Sequence, residues 1–407
     1  MIFRKRGFVK LVTIMLVTLY IVTSIFCVSA FADEVDVATE TFSGSIPISV
    51  ENFVTTDMAT EIKSNYNGQA GNAVITDDSG EITWQFSVPQ EGDYNLKLKY
   101  FPMESKYANI ILGVKIDGEY LDANAEEVTL TKLYKNEHDK IQVDARENQI
   151  LPKQIQAITL VTDYIKKVTA TDNSPYVINL TPGEHTLTFV GKRDNMAIVS
   201  MEFCKPVETP SYEEYSKQIS NKKVITDYKG YIEAEDAKYK SSSTMVPIND
   251  RTSALISPSD AYRVLYNTFN SSSIIGEYAT WDFEVPEDGV YQLAIKFRQN
   301  SSTTVLPVSK VYIDDVIPFK EMEKVEFAYN RKWQMMRVNV EGEPAGVYLT
   351  KGSHTLKIET AIGSFAEYIE QIQDIAYNLN AYYRNIIMIT GTSPDTYRDY
   401  QIDVKLP

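Results

Sequence analysis

Residues 84–100 read WQFSVPQEGDYNLKLKY, and residues 281–297 read WDFEVPEDGVYQLAIKF. The two lines align without a gap as W-x-F-x-V-P, two polar residues, Gly, x, Tyr, x, Leu, x, an apolar residue, Lys and an aromatic. Period-two alternation on either side of a Pro-Gly turn predicts a β-hairpin in each copy. Trp84, Phe86 and Val88 share one face of the first strand, and Tyr94, Leu96 and Leu98 share one face of the second. The pattern therefore points Trp84 and Trp281 into a core.

The agreement extends beyond these lines. Asp117 and Asp314 each stand 33 residues after the Trp, closing V-K-I-D-G and V-Y-I-D-D. Each half then carries L-T-x-G-x-H-T-L, at residues 180–187 and 349–356, and residues 48–52 answer residues 232–236 upstream. Four matched blocks in one order indicate duplicated domains. The step from Asp to His is 68 residues in the first copy and 40 in the second, so the first holds an insert of 28. That insert, which includes residues 136–167, is charged and Gln-rich and reads as a long loop with some helix. Short strands between turn signals predict a mostly β chain of two tandem antiparallel β-sandwiches of the jelly-roll kind.

The N-terminus has Arg4, Lys5, Arg6 and Lys10, then an uncharged run from Leu11 ending Ala30-Phe31-Ala32. That is the layout of a secretory signal over residues 1–32 and places the protein outside the cell; an uncleaved anchor is the alternative. All 55 acidic residues and 36 of the 40 basic ones lie beyond it, a net charge of −19. Such a surface repels phosphate backbones, and nucleic acid is not an expected partner. Cys204 alone remains after residue 32, which leaves no internal disulfide.

The expected organisation is a signal (1–32), a first sandwich (33–207), a linker with a short helix (208–227), a second sandwich (228–363) and a helical tail (364–407). Ser211 and Glu214 form a capping box that starts the linker helix, running to about Ile219. Phe365, Ile369, Ile372, Ala376, Leu379, Tyr383 and Ile386 follow a 4-3 spacing that predicts an amphipathic helix ending near Gly391. Its apolar stripe has to bury against the second sandwich or against a domain outside the chain.

Residues 230–236, GYIEAED, resemble the entry strand of carbohydrate-binding modules of the galactose-binding-like jelly-roll class. In that class an E-A-E strand, a W-x-F-x-V-P unit, an x-I-D-G turn and a G-x-H-T-L strand recur in this order. The second copy has all four with Asp315 at the turn Gly; the first has Ser49 and Asn52 at the entry acids. Residues 212–407 also resemble the N-terminal region of Firmicutes extracellular solute-binding proteins of carbohydrate ABC importers. The resemblance rests on AKYKSSSTMVPINDR (237–251), FRQN (297–300), PFKEMEKVEF (318–327), YNRKWQM (329–335) and IIMITGTSPDTYRD (386–399). It implies carbohydrate as ligand and an ABC transporter permease, or a receptor domain following the modules, as partner.

No Gly-x-Ser-x-Gly elbow, His-Glu-x-x-His pair or phosphate loop occurs, so no catalytic residue is expected. His185 and His354 occupy equivalent repeat positions and read as structural. Glu233 and Glu235 alternate onto one strand face, where two carboxylates suit a hard cation. The resemblance implies a structural Ca²⁺ there, with Glu367 or Glu370 as a later ligand. A sugar needs an exposed aromatic face and planar polar groups. Trp333 lies in a polar segment between Arg331 and Gln334; Arg298, Gln299 and Asn300 end a strand where a loop could join the same surface, and Asp250 and Arg251 lie in another loop. The expected function is extracellular, non-catalytic carbohydrate binding in support of sugar uptake. The alternatives are a scaffold that positions a receptor or cell-wall partner, and an accessory region of a secreted glycoside hydrolase.

Overall fold

A computed structural model describes residues 44–169, 173–253 and 255–405. The signal at 1–32 lies outside the described residues. The described chain is mostly β, with two tandem antiparallel β-sandwiches.

The two strands of the opening motif do not pair with each other. Glu81–Val88 lies between Phe53–Thr56 and Gly183–Arg193 in one sheet. Gly92–Pro102 lies between Val161–Tyr164 and Met196–Cys204 in the opposite sheet. The motif is thus an arch that crosses the core, and the expected hairpin is corrected. The second copy repeats the arch: Tyr278–Val285 pairs with Gly352–Ala361, while Gly289–Gln292 pairs with Gly346–Leu349. Alternation specifies which face is buried, and an arch and a hairpin bury the same residues. Trp84, Phe86, Val88, Tyr94, Leu96 and Leu98 are all buried, as their pattern requires. The corner is pinned in both copies, by the Tyr94 hydroxyl donating to the Gln90 carbonyl and by the Tyr291 hydroxyl donating to the Glu287 carbonyl, each at 2.7 Å.

A second duplicated device locks the far turn. Asp117 and Asp314 both sit at φ 52°, with Gly118 at 84° and Asp315 at 63°. His185 Nδ1 faces Asp117 Oδ2 at 2.7 Å and its Nε2 faces the Thr181 carbonyl at 2.8 Å. His354 repeats this with Asp314 and Thr350, at 2.6 and 2.7 Å. Carboxylate and carbonyl oxygens only accept, so both ring nitrogens donate and each His is held as an imidazolium. The hydrogen bond to Asp117 raises the His185 pKa against the opposing effect of burial. At His354 burial opposes the charge, but Thr350 and Asp314 outweigh it, and the pKa is again raised. A raised folded pKa gives stability that is fully present below the unfolded value of about 6.5 and is lost as pH rises through the folded value. The thermal midpoint is therefore expected to decline above about pH 6.5, and His185→Gln/His354→Gln to flatten that slope in calorimetry; an unchanged slope in the double variant would refute the assignment.

The insert of the first copy has the expected long loop, 137–153, but no α-helix among its described residues. Leu133–Asn136 and Gln154–Ala157 form a hairpin whose Tyr134 pairs with Lys240 of the second copy. The hairpin thereby extends the second sandwich's sheet, in the order 154–157, 133–136, 239–240, 278–285, 352–361, 308–313, 325–326. Its tip is tied as well: Gln149 N–H donates to the Val264 carbonyl at 2.8 Å, and Glu147 pairs with Arg263 at 2.5 Å. A strand edge carries unmet N–H and C=O groups, and this insert covers one. The only α-helix between the two copies in the described residues is α1, Tyr212–Ile219, with its capping box formed. Tyr212 and Tyr215 of α1 pack on Phe319 in the second core, with ring centroids 4.7 and 5.5 Å away. The C-terminal helix α2 spans Ala366–Thr390 and stops at Gly391, whose φ of 74° favours glycine. Its stripe is not covered by the second sandwich: Ile372 and Leu379 are 64% and 67% exposed. No helix among the described residues is long and apolar enough to cross a membrane.

Candidate functional site

The strand Ala294–Phe297 pairs with Gln334–Arg337, and the last pair is Phe297 with Gln334. One step further along, Arg298 and Trp333 leave the sheet side by side. The Arg298 guanidinium lies over the Trp333 ring, 5.4 Å from its centroid. A third segment arrives from the loop after Pro247–Ile248. There Asp250, buried and tied to Asn267 by two backbone contacts of 2.9 and 3.0 Å, directs its carboxylate at both side chains. Its Oδ2 accepts from Trp333 Nε1 at 3.1 Å and pairs with Arg298 at 2.7 Å. Its Oδ1 accepts from the Thr252 N–H and hydroxyl at 2.7 and 2.6 Å. Burial opposes the charge on Asp250, but the bonds from Thr252, Trp333 and Arg298 outweigh it and hold the carboxyl below its usual range.

This frame borders a cleft of about 580 Å³, lined by Trp333, Arg298, Arg331, Lys332 and Tyr329 with Asn300, Thr252, Ser253 and Leu255. Of the residues expected here, Trp333, Arg298 and Arg331 line it. Arg331 Nε donates to the Tyr329 hydroxyl at 3.2 Å, which steadies the guanidinium. Gln334 stands beside the cleft, donating to the Ala328 carbonyl at 2.7 Å. Gln299 is buried and serves the loops instead: its amide donates to Ser302 at 2.6 Å and accepts from Ser301, and its backbone carbonyl accepts from Asn330. Arg251 points the other way, to the Arg263 carbonyl at 2.6 Å. Asp250 was expected only as a loop residue beside Arg251, yet it is the group that holds Trp333 and Arg298. It lies 83 residues from Trp333, and no local pattern links the two.

The acidic entry segment differs from its expected form. Residues 234–236 make a 3₁₀ turn that begins after Glu233, so Glu233 and Glu235 do not alternate on a strand. Glu235 is buried, and burial, together with Glu233 and Asp236, pushes its carboxyl up to about 7. Among the described residues no group of three or more His, Cys, Asp or Glu side chains converges as a metal site. Glu367 and Glu370 fall on α2, and their side chains lie outside the described residues.

No family model matches the chain, and no curated protein does. Among solved structures it is similar to an exo-β-1,3-galactanase from Phanerochaete chrysosporium, at 13% identity and a TM-score of 0.24, over 39% of this chain and 29% of that one. It is also similar to a family 35 carbohydrate-binding module from Clostridium thermocellum, at 12% identity and a TM-score of 0.26, over 39% of this chain and 97% of that one. A family 35 module from Cellvibrio japonicus compares at 12% identity and 0.26, over 40% and 95%. The matched portion thus spans less than a third of the galactanase but nearly all of each isolated module.

Proposed function

We propose that the second sandwich binds carbohydrate at the Trp333 cleft, outside the cell and without catalysis. The observation that carries this reading is the pinned Trp333 ring on an open cleft of about 580 Å³ with planar and amide groups beside it. Sugars present C–H faces to an aromatic ring and hydroxyls to such groups. An aromatic already held by Asp250 and Arg298 gives up little side-chain entropy on binding. By its resemblance to importer receptors, the chain would serve an ABC-type sugar uptake system, with a permease or receptor domain as partner. The exposed stripe of α2 favours the scaffold reading as a second role, because such a face suits packing against another body.

A glycan array probed with the full chain tests the binding reading. Trp333→Ala is expected to weaken capture about 30-fold, the ~2 kcal/mol scale of a central aromatic contact. Failure of the wild-type chain to hold any glycan would overturn it.

We also propose that a structural Ca²⁺ is held at the 233–235 turn. Glu235 is a buried carboxylate with no ion pair among the described residues, and a hard dication favours its charged form. Calcium at about 100 times its dissociation constant is then expected to add ~2.7 kcal/mol of stability, and chelation to remove it. Thermal melts of wild type and Glu235→Gln check this; a response shared equally by both, or absent from both, refutes the site.

A further inference from the structure

We propose that the Trp333 cleft takes an anionic glycan, a chain bearing carboxylate, sulfate or phosphate groups; this rests on the carbohydrate reading above. Three cations line the cleft and no acid does. Arg298 is already answered by Asp250 at 2.7 Å. Arg331 and Lys332 have no ion pair among the described residues; Arg331 meets only the Tyr329 hydroxyl, and Lys332 only a backbone bond, its N–H donating to Asn330 Oδ1 at 2.9 Å. Guanidinium and ammonium groups donate and never accept. A neutral hydroxyl meets them weakly, whereas a carboxylate, sulfate or phosphate oxygen makes short charge-assisted bonds. The placement runs against the composition, since the chain as a whole is at −15. At physiological ionic strength charges beyond about 8 Å are largely screened, so the local cations decide what docks. The arrangement divides the work: Trp333 meets a sugar ring, and Arg331 and Lys332, next to it in sequence, meet a charge on the same or the adjoining residue.

The test titrates the full chain with polygalacturonate, a sulfated galactan, a wall teichoic acid and an uncharged galactan, by calorimetry at low and high salt. The variants are Trp333→Ala and Arg331→Gln/Lys332→Gln; the second pair is exposed, and circular dichroism checks that it stays folded. At least one charged polymer is expected to bind tenfold or more above the neutral galactan. Arg331→Gln/Lys332→Gln should remove that preference and its salt dependence, and the strongest of the three charged polymers identifies the anion. Equal affinity for the neutral galactan, or no effect of the double change, overturns the anionic assignment while the carbohydrate reading stands. Polyanion binding that is indifferent to Trp333→Ala overturns it too, as general charge attraction. No binding to any of the four polymers, together with an empty glycan array, defeats both readings.

Discussion

Asp194→Asn is expected to destabilise the first sandwich by about 3–5 kcal/mol, the scale of stranding one member of a buried ion pair. Asp194 is paired with Lys132, and their side chains are 3% and 0% exposed. Ser105 completes the group, its hydroxyl donating to Asp194 at 2.6 Å and accepting from Lys132 at 2.8 Å. Asp194 sits at φ 70°, a conformation Asn also tolerates, so the change removes charge with little added backbone strain. What remains is an ammonium in the core facing an amide. Lys132→Met/Asp194→Asn removes both charges and is expected to recover a substantial part of the loss, because an apolar replacement of a buried pair is often near neutral. Urea denaturation followed by far-ultraviolet dichroism measures both. A loss under about 1 kcal/mol in the single variant, or a double variant no better than the single, would show that the pair is not held as described.

Trp84→Ala is expected to cost about 3–5 kcal/mol through lost burial and the cavity left behind. Trp84 is fully buried, packs edge-on to Phe189 with centroids 5.3 Å apart, and donates its indole N–H to the Val50 carbonyl at 2.8 Å. Trp281 repeats the arrangement, against Phe269 at 5.7 Å and the Ala234 carbonyl at 3.0 Å. Its loss should be similar in size for the second sandwich and should also loosen the turn that carries Glu235. Trp84→Phe retains most of the packing but strands a buried carbonyl, which places it between wild type and Trp84→Ala. Stability that changes by less than about 1 kcal/mol in Trp84→Ala would mean that the repeated Trp is not the centre of its sandwich.

Several features were legible because they depend on neighbours close along the chain. The capping box at Ser211 and Glu214 is a contact three residues long, and α1 starts where it says. The stop of α2 at Gly391 follows from a glycine at the end of a 3.6-residue pattern. The fate of Trp84 and Trp281 follows from alternation, and the equivalence of His185 with His354 follows from the repeat. Trp333, Arg298 and Arg331 were found from polar composition around an aromatic, and they line one cleft. Gln299 and Arg251 share that composition but are spent on Ser302 and Arg263, partners that no nearby pattern announces. The bond from Asp250 to Trp333 is hidden for the same reason, and the strand expected at Glu233 and Glu235 is a 3₁₀ turn.

By itself the sequence determined that one unit is written twice, which residues of that unit face inward, and where α1 and α2 begin and end. These are matters of repetition and of periods of two and 3.6, each set by backbone geometry within a few residues. Only the tertiary structure decided that 84–100 and 281–297 are arches joining opposite sheets, that the first copy's insert completes the second copy's sheet, and that Asp250 holds Trp333 and Arg298 at one cleft. The physical reason is common to all three. A strand's hydrogen-bonding edges are alike whatever the side chains, so the partner is selected by how the apolar faces close into a core, and that closure joins residues far apart in the chain.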